Sequence, residues 1–389
     1  MGEFRARVRA ALTEQRMSMR SAARTLNYDV AYLSRVLNGK QSPSLQLAEG
    51  LDRLLGMNGE LGALVAHPVQ AGNISSSERR PALDGDRGEG FASAIRDMSQ
   101  RLVVLDNAMN GLPVADVAAR AFKSVYRQIG DGEYDRKAEH DIQAAAAELA
   151  EVAGWALFDA EKHDSARRFN QEALFLAKLS GDHSIELLVM QNMAMQAGWV
   201  GRPREELAIA RSIIEQGRLS PHTEAIFRVR EAKGLAASGQ ESEAARLFDL
   251  ARSLIQESKR CGDPYWAWWV TAAEIDGHQG FALQEAGQWK KGIPYLQRAL
   301  HDDGGVKVGY RNISAVRLLD CLLRAAAWPQ AEELAQSIVP TIGETASVRT
   351  LRLLSKTAQG GMELAGAPMG VRDLLHTISD ALNGDPYAF

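Results

Sequence analysis

Apolar residues recur at three- and four-residue steps along most of the chain, and no segment alternates between apolar and polar residues as a strand does. This pattern predicts an all-α protein. Residues 67–90 differ, because they are rich in Gly, Ser and Pro and have no helical period, which is typical of a flexible linker. The linker separates a short segment, 1–66, from a long helical segment, 91–389.

Two short helices joined by a tight turn are predicted between Met17 and Ser44. Ser18 is suited to cap the first, over residues 19–26, because its hydroxyl can accept a hydrogen bond from a free N–H of the first turn. Asp29 is suited to cap the second, which should end before Gly39 because glycine tolerates a left-handed backbone.

The faces of these two helices are also predicted by their spacing. Leu33, Val36 and Leu37 share the inward face and should meet Ala22-Ala23, whose small side chains let two helices cross closely. An amphipathic helix over 3–15 precedes the pair, with Phe4, Val8, Ala11 and Leu12 inward. A fourth helix should start at Ser42-Pro43 and end at Gly56, and a fifth should cover 59–66.

These residues give segment 3–66 its resemblance to the Xre-type, lambda-repressor-like DNA-binding domain. The resemblance rests on Ala22-Ala23, the run YLSRVLNGK at 32–40 and Ser42-Pro43-Ser44. It implies five helices, with the second helix of the pair lying in the major groove. The implied base-reading positions are Val30, Ala31, Tyr32, Ser34 and Arg35, and the implied phosphate positions are Arg20, Asn38 and Lys40. The alternative is a helical hairpin with no role in DNA binding.

Arg35 is the natural guanine reader, because its planar guanidinium matches the O6 and N7 acceptors. Many relatives carry Gln or Thr where this chain has Met19, Val30 and Ala31. Val and Ala offer only apolar contact with a thymine methyl, so the operator sequence is not predicted.

Downstream of the linker, four segments and a weaker fifth share one pattern: a small residue on a first helix, a short turn, and small or apolar residues at set steps on a second. The positions are Gly154, Ala166, Phe169 and Ala173; Ala194, Ala210 and Ile213; Ala232, Ala244, Phe248 and Ala251; Gly280, Gly292, Leu296 and Ala299; and Leu319, Ala331, Ala335 and Ile338. The order resembles the tetratricopeptide (TPR) repeat. The resemblance covers residues 143–340, and helices in 91–142 and 347–382 should cap the stack.

The turns of these units fall at Glu161, Gly201, Gly239, Gly287 and Ala326, which gives spacings of 40, 38, 48 and 39 residues. A standard TPR repeats every 34 residues. The sequence therefore predicts an α-solenoid of elongated, TPR-like hairpins.

The whole arrangement resembles bacterial regulators in which an Xre-type domain precedes a TPR-like sensing domain. In the best-known group the solenoid binds a short signalling peptide or an antagonist on its concave face and also dimerises. The implied partners are a double-stranded DNA operator, a second copy of the chain, and a peptide, small molecule or partner protein.

The first helix of each hairpin lines the concave face of such a stack, and counting from the small positions gives the ligand-binding candidates. They are Glu151, Trp155, Gln191, Asn192, Met195, Trp199, Lys233, His278, Phe281, Gln284, Asp320 and Arg324. Asn192 is the best single candidate, because an amide side chain can both donate to and accept from a peptide backbone. For each Trp and Met, packing between hairpins is the competing interpretation.

Four aromatic residues stand within residues 265–269, YWAWW. They cannot all face one core from a helix, so at least one should meet a partner, ligand or second subunit. The alternative is that they seal the longest gap between hairpins.

Composition narrows the functional class. Residues 1–66 carry nine Lys/Arg and six Asp/Glu, a net charge of +3, whereas the whole chain carries −4 and the remainder −7. A basic head on an acidic body fits one nucleic-acid-binding domain. Cys261 and Cys321 are isolated, which fits a reducing cytoplasm. No apolar run is long enough to span a membrane, and the first helix is unlike a signal peptide.

The sequence contains no Walker loop, HExxH motif or Cys/His cluster. We therefore expect no enzymatic activity, catalytic residue, cofactor or metal. Two functional classes remain. One is a cytoplasmic, ligand-responsive transcriptional regulator that binds DNA as a dimer. The other is a DNA-tethered scaffold whose solenoid binds a protein without a small ligand.

Overall fold

The computed structural model describes residues 2–15, 17–26, 30–38, 43, 45–57, 59–61, 89–108, 114–132, 134, 136–257, 262–300, 311–345 and 347–384. All regular secondary structure in these ranges is helical, which confirms the all-α prediction. The chain forms two compact units, Met1–Pro81 and Ala82–Phe389. The division lies within the predicted linker, of which residues 67–88 are outside the described ranges.

The N-terminal unit contains four described helices: α1 (Gly2–Glu14), α2 (Met19–Thr25), α3 (Val30–Leu37) and α4 (Leu45–Leu55). As predicted, Ser18 caps α2, since its Oγ accepts from the Ser21 N–H at 3.1 Å. One apolar core joins all four helices. It contains Phe4, Val8, Ala11, Leu12, Ala22, Ala23, Leu33, Val36, Leu37, Leu47, Ala48, Leu51, Leu55 and Leu61. The predicted inward faces of α1, α2 and α3 are therefore correct.

The predicted start of α4 is wrong. The helix begins at Leu45 rather than at Pro43, which is buried but not helical. The run Ser42-Pro43-Ser44 offers the same capping chemistry at two places, and the pattern pointed to the earlier one. The helix ends as predicted, at Gly56 with a φ of 66°. Asp29, Gly39 and most of the predicted fifth helix lie outside the described residues.

The described part of the C-terminal unit contains five helical hairpins that follow the predicted repeat. Hairpin 1 pairs α7 (Glu139–Asp159) with α8 (His163–Ser180), and hairpin 2 pairs α9 (His183–Trp199) with α10 (Pro203–Gln216). Hairpin 3 pairs α11 (Pro221–Ala237) with α12 (Glu241–Glu257), and hairpin 4 pairs α13 (Ala272–Glu285) with α14 (Trp289–Leu300). Hairpin 5 pairs α15 (Arg311–Arg324) with α16 (Trp328–Ile338).

Further helices flank the hairpins. On the N-terminal side, α5 (Glu89–Ala108) and α6 (Val114–Asp131) both pack on α7. On the C-terminal side, α17 (Val348–Met362) packs on α15, and α18 (Met369–Asn383) packs on α16. The first of these helices begins at Glu89, two residues inside the segment predicted as linker. Short 3₁₀ helices occupy Arg136–Ala138, Tyr265–Trp269 and Val339–Glu344.

All five predicted turn positions adopt a left-handed backbone. The φ angles are 56° at Glu161, 75° at Gly201, 82° at Gly239, 71° at Gly287 and 55° at Ala326. After each turn, the next N–H bonds to a carbonyl five residues back, at 2.8–2.9 Å. This is the Schellman arrangement that satisfies the free carbonyls of a helix end. The five hairpins therefore repeat one turn geometry, which confirms the repeat that the sequence predicts.

Close helix contact explains the small residues on the first helices. A Cβ at Gly154 would lie 2.4 Å from the Asn170 Oδ1 atom, and one at Gly280 would lie 2.5 Å from Leu296 Cγ. The second-helix positions of the pattern are mainly buried, as with Ala210 and Leu296. The small and apolar residues of the repeat thus set how closely the two helices of a hairpin approach.

The aromatic segment 265–269 contains two packed and two exposed aromatic side chains, and the predicted contact with a partner, ligand or second subunit stays a prediction. Trp266 is buried and its indole N–H donates to the Ser184 carbonyl at 2.9 Å, and Trp269 packs beside it. These two rings fill space between hairpins. Tyr265 and Trp268 are 65% and 47% exposed.

Replacing Ala326 with Gly should stabilise the protein. An L-residue with a positive φ is strained by its Cβ, and glycine removes this strain at a modest cost in chain entropy. We expect Ala326→Gly to raise the free energy of unfolding by about 1 kcal/mol in urea denaturation. The control is Ala325→Gly, where φ is not in the left-handed region; it should lower stability by about 0.5–1 kcal/mol. Equal effects of the two substitutions on stability would contradict the claim that the positive φ strains Ala326.

Candidate functional site

The candidate DNA-reading element is α3, whose inward residues Leu33, Val36 and Leu37 fix it against the core. On the other side, Asn38 is exposed and Ser34 is partly buried. Arg20, on α2, is also exposed. The side chains of Val30, Ala31, Tyr32 and Arg35, and all of Lys40, lie outside the described residues. The assignment of these eight residues to DNA contacts therefore stays a prediction.

Arg9 of α1 holds the C-terminal end of α3. Its Nη2 donates to the Leu37 carbonyl at 3.0 Å and to Asn38 Oδ1 at 2.7 Å. Asn38 Nδ2 in turn donates to Ser34 Oγ at 3.2 Å. The arginine thus occupies the free carbonyl end of the helix, where a positive charge is favourable. The sequence pattern missed this role, because Arg9 sits on the polar face of an amphipathic helix.

The first helices of hairpins 1 to 4 are joined by a continuous chain of polar contacts. Asn192 donates to Glu151 at 2.8 Å, and Gln191 donates to Asn192 at 2.5 Å. Arg230 donates to Gln191 at 2.9 Å, and its other terminal nitrogen lies 3.0 Å from His278 Nε2. We call these five residues the polar chain. The polar chain thus brings together four of the predicted ligand residues, Glu151, Gln191, Asn192 and His278. They surround Arg230, which was not among the predicted residues.

Burial shifts the proton equilibria of the polar chain. Desolvation and the nearby Arg230 charge lower the pKa of His278 to about 4, against Glu274, which raises it. The imidazole is therefore neutral at pH 7. Desolvation also lowers the pKa of Arg230, which is 1% exposed. At the other end, desolvation raises the pKa of Glu151 to about 7, against the hydrogen bond from Asn192 that lowers it.

A second polar group joins hairpins 4 and 5. Arg317 donates to Gln284 and, at 3.1 Å, to Glu285. Gln284 donates to Asp320, which also accepts from Arg324 at 2.8 Å. The predicted residues Gln284, Asp320 and Arg324 therefore lie together, and Arg317 is the member that the pattern missed.

The C-terminal flank returns to hairpin 1. At the start of α17, Ser347 Oγ donates to Asp159 Oδ1 at 2.8 Å, and Arg349 pairs with the same carboxylate at 3.1 Å. Arg352 pairs with Glu161. We call these five residues the clasp. The clasp joins residues about 190 positions apart, so the two ends of the hairpin array meet.

Aromatic rings surround the buried guanidinium of Arg349. Its central carbon lies 4.5 Å from the ring centre of Phe158, 5.1 Å from that of Trp199 and 5.6 Å from that of Trp155. Such distances are in the range of cation–π contacts. Both predicted ligand tryptophans are therefore already engaged by a side chain of the protein.

The remaining predicted ligand residues lie in three settings. Met195 packs against the core of hairpin 1, as the competing interpretation proposed. Phe281 is buried, and the Arg317 guanidinium lies 4.4 Å from its ring centre. Lys233 is buried with its Nζ 3.9 Å from Glu206 Oε1. Most of the predicted ligand residues are thus already hydrogen-bonded or packed against other side chains of the protein, and their assignment to a concave ligand-binding face stays a prediction.

No set of three or more His, Cys, Asp and Glu side chains is placed to hold a metal ion within the described part of the chain. In the same residues, no helix combines the length and apolar character needed to cross a membrane.

Comparison with known proteins decides the nature of the N-terminal unit. Residues 8–60 match the helix-turn-helix family model HTH_3. The N-terminal unit is an Xre-like helix-turn-helix domain. The match spans α2, α3 and α4 and the second half of α1, and it favours the DNA-binding interpretation over the hairpin with no role in DNA binding.

The other comparisons add little to this helix-turn-helix assignment. No curated protein matches the chain. The crystal structure of the P58(IPK) TPR domain aligns with 99% of this chain and 94% of its own at 11% identity, with a TM-score of 0.23. A TM-score this low does not support any inference about the fold. The TPR-like description of the C-terminal unit therefore rests on its own five hairpins and their common turns.

Arg9 provides a test of the helix-turn-helix geometry. Removing its side chain with Arg9→Ala should loosen the end of α3 and free Asn38, so we expect DNA affinity to fall about tenfold, or about 1.4 kcal/mol. Fluorescence anisotropy with a selected DNA site measures this effect. The control is Arg53→Ala on the exposed end of α4, which should change affinity less than threefold. Equal losses in the two variants would show only a general effect of positive charge.

Proposed function

We propose that this protein is a DNA-binding transcriptional regulator whose TPR-like unit senses a peptide or small molecule and dimerises. The observation that carries the DNA-binding part is the helix-turn-helix match over residues 8–60, supported by the capped α2 and the core-anchored α3. In this motif the second helix enters the major groove, and Arg35 is our candidate for reading guanine.

The polar chain supports the sensing part. Asn192, Gln191, Arg230 and His278 are buried inside the array, where polar groups are costly unless they are hydrogen-bonded. Their partners come from different hairpins, so a ligand that bonds to one of them would alter contacts between repeats. Ligand binding would then shift the population of array conformations.

In this proposal, dimerisation connects the sensing of a ligand to the binding of DNA. Dimeric helix-turn-helix proteins bind two half-sites whose spacing reflects the distance between their recognition helices. In the proposed mechanism the TPR-like unit carries the dimer contact, and a change in the array changes the spacing that the dimer accepts.

A scaffold that binds a partner protein is the second candidate. The exposure of Tyr265 and Trp268 favours it, because exposed aromatic residues are enriched where proteins bind one another. In that case the helix-turn-helix unit would bring the partner to DNA, and no small ligand would be needed.

Selection of DNA sites from a random library by the purified full chain tests the proposal. We expect enrichment of a two-fold symmetric sequence, a mass in solution of twice the 42.4 kDa of one chain, and loss of at least tenfold in affinity with Arg35→Ala. Enrichment of single half-sites by a monomer would contradict dimerisation. Failure to enrich any sequence would contradict the regulator itself.

A further inference from the structure

A cavity of about 360 Å³ lies between hairpins 2, 3 and 4. Its walls are formed by Gly198, Trp199, Gly201, Pro203, Glu206, Lys233, Ala237 and Glu285. Glu285, whose side chain is half-exposed, and the exposed Gly201 mark its opening to solvent. The volume is within the range of pockets that hold small molecules.

Glu206 lines this cavity, and one of its two carboxylate oxygens has no hydrogen-bond donor. The residue is 1% exposed, and among the described residues its Oε1 atom has no hydrogen-bond partner. The carboxylate is fixed against the backbone, since a Cβ at Gly198 would lie 2.1 Å from Glu206 Oε2. A buried carboxylate oxygen without a donor is costly, so the site lacks a donor group.

The nearby lysine does not supply that donor. Lys233 Nζ lies 3.9 Å from Glu206 Oε1, which is beyond hydrogen-bonding distance. Its charge is shared with a second carboxylate, because it acts on both Glu206 and Glu285. Arg317 pairs with Glu285, and Arg230 is held by Gln191 and beside His278. The cations of this region are thus committed to other groups or too distant.

We propose that this cavity binds a primary ammonium group, which donates to Glu206 Oε1, on a ligand whose apolar part lies against Trp199 and Ala237. An ammonium carries three donors, and a charged donor makes a strong hydrogen bond to a carboxylate. Such a hydrogen bond is what Glu206 Oε1 lacks. Arg317 already pairs with Glu285, so the feature of the lining that favours a cationic donor is the Glu206 Oε1 atom, which has no hydrogen-bond partner. The inference deepens the proposed sensing function and rests on it.

Two sources can supply this chemistry. One is a free amine or amino acid, and the other is the N-terminal ammonium of a peptide. A volume of about 360 Å³ accommodates one residue of either, and the opening beside Glu285 would let a peptide continue outward.

Calorimetric titration of the full chain at pH 7 tests the proposal with matched probes. The probes are L-leucinamide, L-leucine and the tripeptide Leu-Gly-Gly, each paired with its N-acetylated form. We expect at least one free ammonium probe to bind saturably and its acetylated form to bind at least tenfold more weakly. Binding of leucinamide or leucine indicates a free amine or amino acid, whereas binding of Leu-Gly-Gly alone indicates a peptide terminus.

Glu206→Gln is the decisive variant, because it keeps the shape and removes the charge. The variant should bind the ammonium probe at least tenfold more weakly than the wild type does. The neighbouring Glu205→Gln should change the affinity for the probe by less than twofold. Since Glu206 lacks a donor, Glu206→Gln should melt no lower than the wild type, and this measurement separates loss of binding from loss of fold. Equal binding of free and acetylated probes, or binding of none, would overturn the proposal. DNA-site selection is measured separately, so failure here would leave the regulator function intact.

Discussion

Arg349→Ala is expected to lower the free energy of unfolding of the C-terminal unit by about 3 kcal/mol. The change removes the charge that pairs with Asp159 and leaves that carboxylate with one neutral donor, Ser347. It also removes the cation from Phe158, Trp155 and Trp199. Because the clasp joins the two ends of the array, the loss should affect hairpin 1 as well as α17. Urea denaturation measures the free energy, and hydrogen exchange locates the loss.

Two variants control this prediction. Arg352→Ala removes the exposed pair of the clasp, whose arginine side chain is 75% exposed, and exposed pairs contribute less than about 1 kcal/mol. Arg349→Met keeps most of the apolar contact with the rings and removes only the charge. We expect the loss to increase from Arg352→Ala through Arg349→Met to Arg349→Ala. Equal, small losses in all three would show that the clasp does not hold the ends together.

The second large effect is a dependence of stability on pH that comes from Glu151. Burial raises the pKa of this carboxyl from 4.5 to about 7, with a further increase from Glu148 that opposes the hydrogen bond from Asn192. A group with a raised folded-state pKa stabilises the fold fully below its unfolded pKa. That stabilisation is lost as the pH rises from about 4.5 to 7.

Glu151→Gln should remove this dependence. The glutamine keeps an oxygen to accept from Asn192 and is neutral at every pH. We expect the variant to be more stable than the wild type by about 3 kcal/mol at pH 8 and nearly equal to it at pH 4. Thermal unfolding at several pH values measures the difference. A constant difference between pH 4 and pH 8 would contradict the raised pKa.

His278 changes the pH dependence of stability in the opposite direction, so its effect must be separated from that of Glu151. Its pKa is lowered to about 4, so its contribution is present above about 6.5 and is lost as the pH falls to 4. Comparing wild type with Glu151→Gln at each pH cancels the histidine, because it is present in both proteins.

Local chemistry explains why the hairpins were predictable. Each turn needs a residue with a positive φ, and glycine occupies three of the five positions. Each helix crossing needs a small residue, such as Gly154 or Gly280. These requirements act within a few residues, so spacing alone reveals them. The prediction of where α4 begins was wrong because it also used local chemistry alone, and Ser42 and Ser44 offer equivalent local caps.

The interior of the array was only partly predictable. Counting from the small positions selected Gln191, Asn192 and His278, which the structure joins through Arg230. It did not place Arg230 or Arg349, because an arginine on a helix is normally exposed and its burial depends on partners from other hairpins. The pairing of Arg349 with Asp159 joins residues 190 positions apart, and no local pattern encodes such a contact. The burial of Glu206 was not predictable either, because a glutamate at a helix start is normally exposed.

The most direct test of the central claim is a genome-wide map of DNA occupancy by the tagged protein, compared with Arg35→Ala and with Arg53→Ala as the matched control. We expect discrete promoter peaks that share one sequence element, vanish in Arg35→Ala and persist in Arg53→Ala. Peaks that survive unchanged in Arg35→Ala would contradict the assigned reading face. Absence of discrete peaks in all three proteins would contradict the claim that the helix-turn-helix domain makes this protein a regulator.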